Sequence, residues 1–237
     1  MAELLGHGIY SVPEAARLSG VAPAKIRRWV FGHSTKTRAG ERVQYDGLWT
    51  SEFHDEDEQA LSFHDLLEVR FVDAFRRHGV SLQTIRLAAS HAREFLDTDY
   101  PFTCQRFRTD GRGIFASVAP EVDDSEERER LLDLARRQYV FKDVVSPSLY
   151  AGIEYDQKDS AIRWFPMRRT HQVVLDPKRS FGKPILTEYS VPTETLAAAV
   201  RVEDDVRRVA RLYEIPTEQV RTAVRFEERI ADRAGTA

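Results

Sequence analysis

Cysteine is almost missing from this chain. The single thiol, Cys104, excludes an intrachain disulfide and any zinc cluster built on cysteines. No apolar run approaches the roughly 20 residues that cross a bilayer. The N-terminus lacks the charged and apolar regions of a signal peptide, so a cytoplasmic protein is expected. There is no Gly-rich phosphate loop, no Ser nucleophile elbow and no pair of His at i, i+4 among the 7 His residues. The carboxylates fall at helix caps and on helix faces. The chain therefore reads as a protein without catalytic activity, cofactor or metal. Its net charge of −3 excludes a bulk polycation, so any contact with nucleic acid must come from a local patch.

Such a patch follows a legible helix pair. In Ser11 to Trp29, SVPEAARLSGVAPAKIRRW, Ser11 caps a first helix and Glu14 completes a capping box. Pro13 occupies the first turn, where a missing N–H costs nothing. Ala15, Ala16 and Leu18 keep the inner face small, and Gly20 ends the helix. Val21 plugs the corner. Pro23 opens a second helix whose Ile26 and Val30 face inward at i, i+4, leaving Lys25, Arg27 and Arg28 outside. Small residues at the crossing, Gly in the turn and cations on the second helix are what a helix-turn-helix needs to enter a major groove.

From Lys25 to Arg42 the charges are Lys25, Arg27, Arg28, Lys36, Arg38 and Arg42 against Glu41 alone. ERVQYDGLWTSEF then predicts two alternating strands around an Asp46-Gly47 turn. A basic hairpin after a helix-turn-helix is a wing, which lays cations along phosphates. The acidic run EFHDEDE, residues 52 to 58, reads either as a solvated connector or as a clamp over the basic patch when DNA is absent.

In LSFHDLLEVRFVDAFRRHGVSLQTIRLAASHAREFL, Ser62 caps a helix with Asp65 at its third position. Leu67, Phe71, Ala74 and Phe75 form its inner face and Gly79 stops it. Ser81 caps the next, where Leu82, Ile85, Ala89, Ala92 and Leu96 make a seam against the previous helix or a second subunit.

The helix-turn-helix with its GVAPAKIRRW recognition helix resembles the MerR class of winged helix-turn-helix regulators. That resemblance implies a backbone contact for Arg27; Arg28 stands where the class usually has Tyr. The run LSFHDLLEVRFVDAFRRHGVSLQTIR resembles a narrower group, the long VapB-type antitoxins of toxin–antitoxin operons, which join a MerR-like head to a C-terminal antitoxin module.

From Tyr100 onward PFTCQRFRTDGRGIFASV predicts strand, Asp110-Gly111 turn, strand. An amphipathic helix, SEERERLLDLARRQ, follows. In the hairpin LYAGIEYDQKDSAIRWFPM, Ile153 and Tyr155 alternate on one strand and Ile162 and Trp164 on the other. Tyr155, Trp164 and Phe165 serve either core packing or a sensor pocket, and Cys104 reads as an inert thiol. Val173 to Leu175 form a short strand. Three helices close the chain, capped by Thr193, by Asp204 or Asp205, and by Thr217. Mixed charges on the last pair (Glu218, Arg221, Arg225, Glu227 and Glu228) suit a protein-binding or dimerising module better than phosphate.

VVLDPKRSFGKP, SVP and VRRVARLYEIPTEQVRTAVRFE resemble the antitoxin module paired with PIN-like ribonuclease toxins. The family's Gly-Thr-Arg-like string before Val-Pro is here Thr187 to Ser190, which puts a role for that loop in doubt. The resemblance implies a metal-dependent ribonuclease partner with clustered carboxylates, for which Arg168, Arg169, Lys178, Arg179 and Lys183 form the cationic cluster.

The expected architecture is mainly α within an α+β class, in three parts. Residues 1–98 form a MerR-like winged helix-turn-helix DNA-binding domain, 99–168 an α+β middle domain, and 169–237 a C-terminal helical antitoxin or dimerisation module. The expected function is that of an antitoxin that neutralises a PIN-like toxin and, as a homodimer on operator DNA, represses its own operon. The competing reading is a MerR-like, ligand-responsive regulator without a toxin.

Overall fold

The structure, a computed structural model, describes residues 6–36, 40–53, 59–122, 124–126, 128–129, 147–167 and 170–235. The fold is α+β, with short antiparallel strand pairs between helices. Strand β1 (Tyr10–Ser11) leads into α1 (Val12–Ser19) and α2 (Pro23–Val30), followed by β2 (His33–Lys36) and β3 (Arg42–Tyr45). Strand β4 (Ala60–Leu61) pairs with β1 and closes the head, Tyr10 opposite Leu61. Next come α3 (Phe63–Arg77), α4 (Leu82–Leu96) and α5 (Phe107–Val118). The short α6 (Pro147–Tyr150) precedes the hairpin β5 (Ile153–Tyr155) and β6 (Ala161–Trp164). The chain ends with β7 (Val173–Val174), β8 (Ile185–Leu186), α7 (Thr193–Glu203), α8 (Val206–Leu212) and α9 (Thr217–Gly235).

One apolar core runs from Tyr10 in the head to Ile230 in α9. Its aromatic centre brings Phe75 of α3 within 5.1 Å of Phe102 and 5.3 Å of Phe115 by ring centroid, all edge-on. Phe107 joins at 5.2 Å from Phe102. Burying each such ring contributes about 1.5–3 kcal/mol beyond leaving it in water.

That cluster overturns the strand–turn–strand expected after Tyr100. Phe107, Ile114, Phe115 and Val118 are buried at helical spacing, and the segment is helix α5. Asp110-Gly111 makes no turn. Gly111 lies inside the helix, where a Cβ would press on the Phe107 ring at 2.7 Å. The hairpin signal lost to aromatic burial. The amphipathic helix expected from Ser125 lies outside the described residues beyond its first turn, which closes with Arg128 N–H on the Asp124 carbonyl at 2.8 Å.

The 82–96 seam is used within the chain. Ile85, Ala88, Ala89 and Ala92 are fully covered, and α4 packs on α3 and α5. In the C-terminal part Asp205 caps α8 through its side chain. Thr193 does not cap α7. It is buried, and its hydroxyl bonds to Glu227 of α9 and to the Pro184 carbonyl. Trp164 and Phe165 are both buried, with the Arg70 guanidinium 3.9 Å above the Trp164 ring. Cys104 is buried too, and burial pushes its thiol above the usual range.

Candidate nucleic-acid interface

The helix pair is built as its caps demand. Glu14 N–H donates to Ser11 Oγ at 3.3 Å, and Ser11 N–H to Glu14 Oε2 at 2.8 Å. Gly20 ends α1 at φ +74° and donates its N–H to the Ala16 carbonyl at 2.8 Å. Only Gly adopts that backbone without strain. Ile26, Trp29 and Val30 bury the inner side of α2. The inward turn of Trp29 is additional to the Ile26–Val30 pair read from spacing. Lys25, Arg27 and Arg28 remain exposed along the outer face.

The wing is present with a different turn. His33 pairs with Tyr45 and Lys36 with Arg42, so the strands meet ahead of Asp46-Gly47 and are joined through residues 37 to 41, of which 37–39 lie outside the described residues. Arg38 falls there, outside the described residues. Asp46-Gly47 instead bends the chain back beneath α2. Leu48 N–H donates to the Trp29 carbonyl at 2.7 Å, and a Cβ on Gly47 would overlap the Val30 carbonyl oxygen. Close backbone approach, not a hairpin, is why Gly stands there.

Lys36 and Arg42 are exposed and directly opposite one another near the tip. Like charges facing across a strand pair destabilise it unless an anion lies between them. At the base, the His33 and Tyr45 rings stack at 5.0 Å.

The wing is fastened to α3 and α4 by groups whose fastening role the sequence analysis did not single out. Arg86 donates to the Gly47 carbonyl at 2.7 Å and to the Asp46 carbonyl at 2.8 Å. Asp65 is fully buried and accepts from Trp49 Nε1 and Ser51 Oγ, each at 2.6 Å, and from Ser62 N–H at 2.9 Å. Burial raises the Asp65 carboxyl, and those three bonds partly offset the rise. Glu52 meets His7 Nδ1 at 3.0 Å and His64 Nδ1 at 3.2 Å. Residues 54 to 58 of the acidic run lie outside the described residues.

The proposed toxin-binding cations are placed less uniformly. Arg168 and Arg169 are outside the described residues. Lys178 is exposed. Arg179 is half-buried, and its guanidinium bonds to the Thr187 carbonyl at 2.9 Å and to Ser190 Oγ. It thereby holds the Thr187–Ser190 loop, whose role was in doubt. Lys183 is exposed, with its Nζ 3.9 Å from Glu194. Among the described residues no three His, Cys, Asp or Glu side chains are grouped as a metal site needs. None of the described helices is long and apolar enough to cross a membrane.

A cap-defined helix pair, an exposed basic second helix and a basic hairpin beside it define a helix-turn-helix domain of the DNA-binding type. Residues 8–89 match the model of a family described as "Putative DNA-binding HTH domain". The chain is also 27% identical over 207 residues to the "Putative antitoxin VapB45" of Mycobacterium tuberculosis (strain ATCC 25618 / H37Rv), covering 85% of this chain and 86% of that protein. Its fold is that of a protein described as "X-ray crystal structure of Rv2018 from Mycobacterium tuberculosis". The TM-score is 0.64 at 23% identity, over 91% of this chain and 96% of that one. The similarity to a VapB antitoxin thus runs well past the DNA-binding head and into the C-terminal helices.

Proposed function

We propose that this chain is the antitoxin of a type II toxin–antitoxin pair, acting in the cytoplasm. Its MerR-like winged head binds operator DNA as a homodimer and represses the operon. Its C-terminal module, residues 169–237, holds a PIN-like ribonuclease toxin. The observation that carries the reading is the coexistence of an exposed Lys25, Arg27 and Arg28 face with a resemblance to a VapB antitoxin over 85% of the chain.

In this reading α2 lies in the major groove, with Lys25, Arg27 and Arg28 at the groove edge. Lys36, Arg38 and Arg42 lie along phosphates beside it. A two-fold dimer sets half-sites apart by multiples of roughly 10 base pairs. Lys178 and Lys183, with Arg168 and Arg169, present positive charge to the toxin's carboxylates. Arg179 holds the loop beside them.

Co-expression tests this. The neighbouring small reading frame is induced with and without this protein, and growth and co-purification are followed. Arrest by the neighbour alone, with rescue and co-purification when this chain is present, supports the antitoxin. A harmless neighbour and no co-purification overturn it in favour of a regulator without a toxin.

A further inference from the structure

Helix α9 runs alongside α1 and ends beside the corner of the helix-turn-helix. Arg17 meets Glu227 at 2.8 Å, Leu18 and Ile230 line one cleft, and a Cβ placed on Gly20 would lie 3.9 Å from Cδ of Arg233. The contacts advance together along both helices, toward the turn that leads into Pro23 and α2. A helix from the C-terminal part of the chain thus brings its last turns to the corner of the DNA-binding pair.

What it brings there is positive charge. Arg229 and Arg233 stand at i, i+4 on one stripe of α9. Like charges at that spacing repel and destabilise the helix. The Arg229 guanidinium lies over the Phe226 ring, 5.5 Å from its centre. Its Nε and Nη2 are covered and have no hydrogen-bond partner among the described residues. Burial lowers the Arg229 guanidinium and the charge of Arg233 adds to that, yet a guanidinium stays protonated at any physiological pH. Glu228 and Asp232 lie one step round the helix, and both are exposed. Arg229 therefore keeps its charge in a half-covered place, where water screens it less, and adds it to that of the exposed Arg233.

The position decides which anion this charge serves. When the second helix of such a pair lies in a major groove, the first crosses the sugar–phosphate backbone. The turn between them is then beside that backbone, and so is the side chain next to Gly20. An arginine offers a phosphate two parallel N–H groups. Across the corner, the exposed Lys25, Arg27 and Arg28 continue the same sign.

We infer that Arg233, with the charge of Arg229 behind it, binds a DNA phosphate beside the helix-turn-helix corner, so that α9 belongs to the nucleic-acid interface as well as to the C-terminal module. The inference rests on the DNA-binding reading proposed above and extends its surface beyond residues 1–98.

Fluorescence anisotropy of the full chain on a mixed-sequence duplex of about 30 base pairs, roughly three helical turns, tests it across a range of salt concentrations. A backbone contact is independent of sequence, so the duplex needs no operator. The variants are Arg233→Ala, Arg233→Lys and Arg229→Met, with Arg27→Ala as reference. Arg233 is exposed, and alanine and lysine both favour helix, so these chains keep their fold, which circular dichroism checks. Arg233→Ala should lower the slope of log affinity against log salt by about one per bound chain, and Arg233→Lys should restore it. Arg229→Met keeps an apolar stem over Phe226 and should weaken binding about threefold at low salt; unchanged affinity overturns the part given to Arg229. An Arg233→Ala curve superimposable on wild type, while Arg27→Ala lowers the slope, overturns the inference and leaves the DNA-binding reading intact. A wild-type chain that binds no duplex at any salt concentration overturns both. Variants that bind DNA as wild type but no longer capture the purified product of the neighbouring reading frame also overturn it and give the pair to the toxin.

Discussion

His64 sets both ring nitrogens against acceptors. Its Nδ1 lies 3.2 Å from Glu52 Oε1 and its Nε2 lies 3.0 Å from the Ala161 carbonyl. Two acceptors around one imidazole favour its protonated form, and the Ser160 hydroxyl lies 3.3 Å from the same Nε2. It thereby ties the segment after the wing to β6, while stacking on Tyr100 at 4.9 Å. Burial works against the charge, but the hydrogen bond and charge of Glu52 and the Ala161 carbonyl outweigh it and raise the His64 value. Glu52 shows the mirror case: burial would raise it, but His64 and His7 hold it below the usual range.

The sign of the pH dependence follows. A histidine raised on folding contributes stability that is complete below its unfolded value of about 6.5 and is lost as pH rises through the folded value. Each unit of rise corresponds to about 1.4 kcal/mol. The lowered Glu52 contributes above its unfolded value and loses that contribution only in acid. Urea titrations from pH 5.5 to 9 should show wild-type stability falling above about pH 6.5, and His64→Gln should flatten that fall. A parallel curve for the variant would place the titration elsewhere.

Glu68 acts in the same direction for a different reason. Burial pushes its carboxyl up to about 8, although Thr103 donates to Oε1 from its N–H at 2.9 Å and its hydroxyl at 3.0 Å. The carboxyl is therefore held largely neutral at physiological pH, and its Oε2 has no hydrogen-bond partner among the described residues. A raised acid loses stability progressively from about pH 4.5 up through the folded value. Glu68→Gln keeps the acceptor for Thr103 and removes the titration. It should gain about 1–3 kcal/mol above pH 8 and change little near pH 5. Thermal melts at the two pH values check this.

Arg17 on α1 and Glu227 on α9 join the DNA-binding helix pair to the C-terminal helices. The guanidinium meets Glu227 Oε2 at 2.8 Å, while Oε1 accepts from Thr193. Tyr10 adds a second tie, its hydroxyl donating to the Gly182 carbonyl at 2.6 Å. Glu227→Ala removes both bonds, to Arg17 and to Thr193, and leaves Thr193 buried. It should cost about 1–3 kcal/mol in urea unfolding. A double-mutant cycle with Arg17→Ala should return coupling of about 0.5–3 kcal/mol. Additive effects would mean that the Arg17–Glu227 pair contributes nothing to joining the two ends of the chain.

The helix pair was legible because each of its signals is local: a capping box at Ser11 and Glu14, Gly20 after the last turn, and cations left over once Ile26 and Val30 were turned inward. The wing was legible as a basic hairpin but misplaced. Asp46-Gly47 satisfies the rule for a tight turn, yet Gly47 is there because the Val30 carbonyl comes too close for a Cβ. Asp110-Gly111 misled for a similar reason, since the aromatic rings around Phe107 decided the segment from a distance. The fastening groups were hidden because each has an ordinary surface reading. Asp65 looks like a cap residue, which it also is. Glu52 opens an acidic run, and Arg86 sits on the polar side of α4. Their roles depend on contacts 14 to 97 residues apart, between Ser51 and Asp65 or between His64 and Ala161, which periodicity does not report.

Those fastenings make a prediction that separates two ways of weakening DNA binding. Arg27 is exposed on α2 and makes its proposed contact with a phosphate directly. Arg27→Ala should weaken binding to every sequence alike and reduce the slope of log affinity against log salt by about one. Arg86 contacts the Asp46 and Gly47 carbonyls, which it can reach only while the wing base is seated under α2. Arg86→Ala removes no phosphate contact of its own; it frees the hairpin that carries Lys36 and Arg42. It should lower affinity by about tenfold while the slope falls only as far as the wing cations disengage. Arg86→Lys can restore a single bond to one carbonyl but not the two-pronged hold, and should recover only part of the loss. Operator titrations by fluorescence anisotropy across a range of salt concentrations read both quantities. An Arg86→Ala curve superimposable on wild type would mean that the wing keeps its position without Arg86, and a flat response of both variants would remove α2 from the DNA.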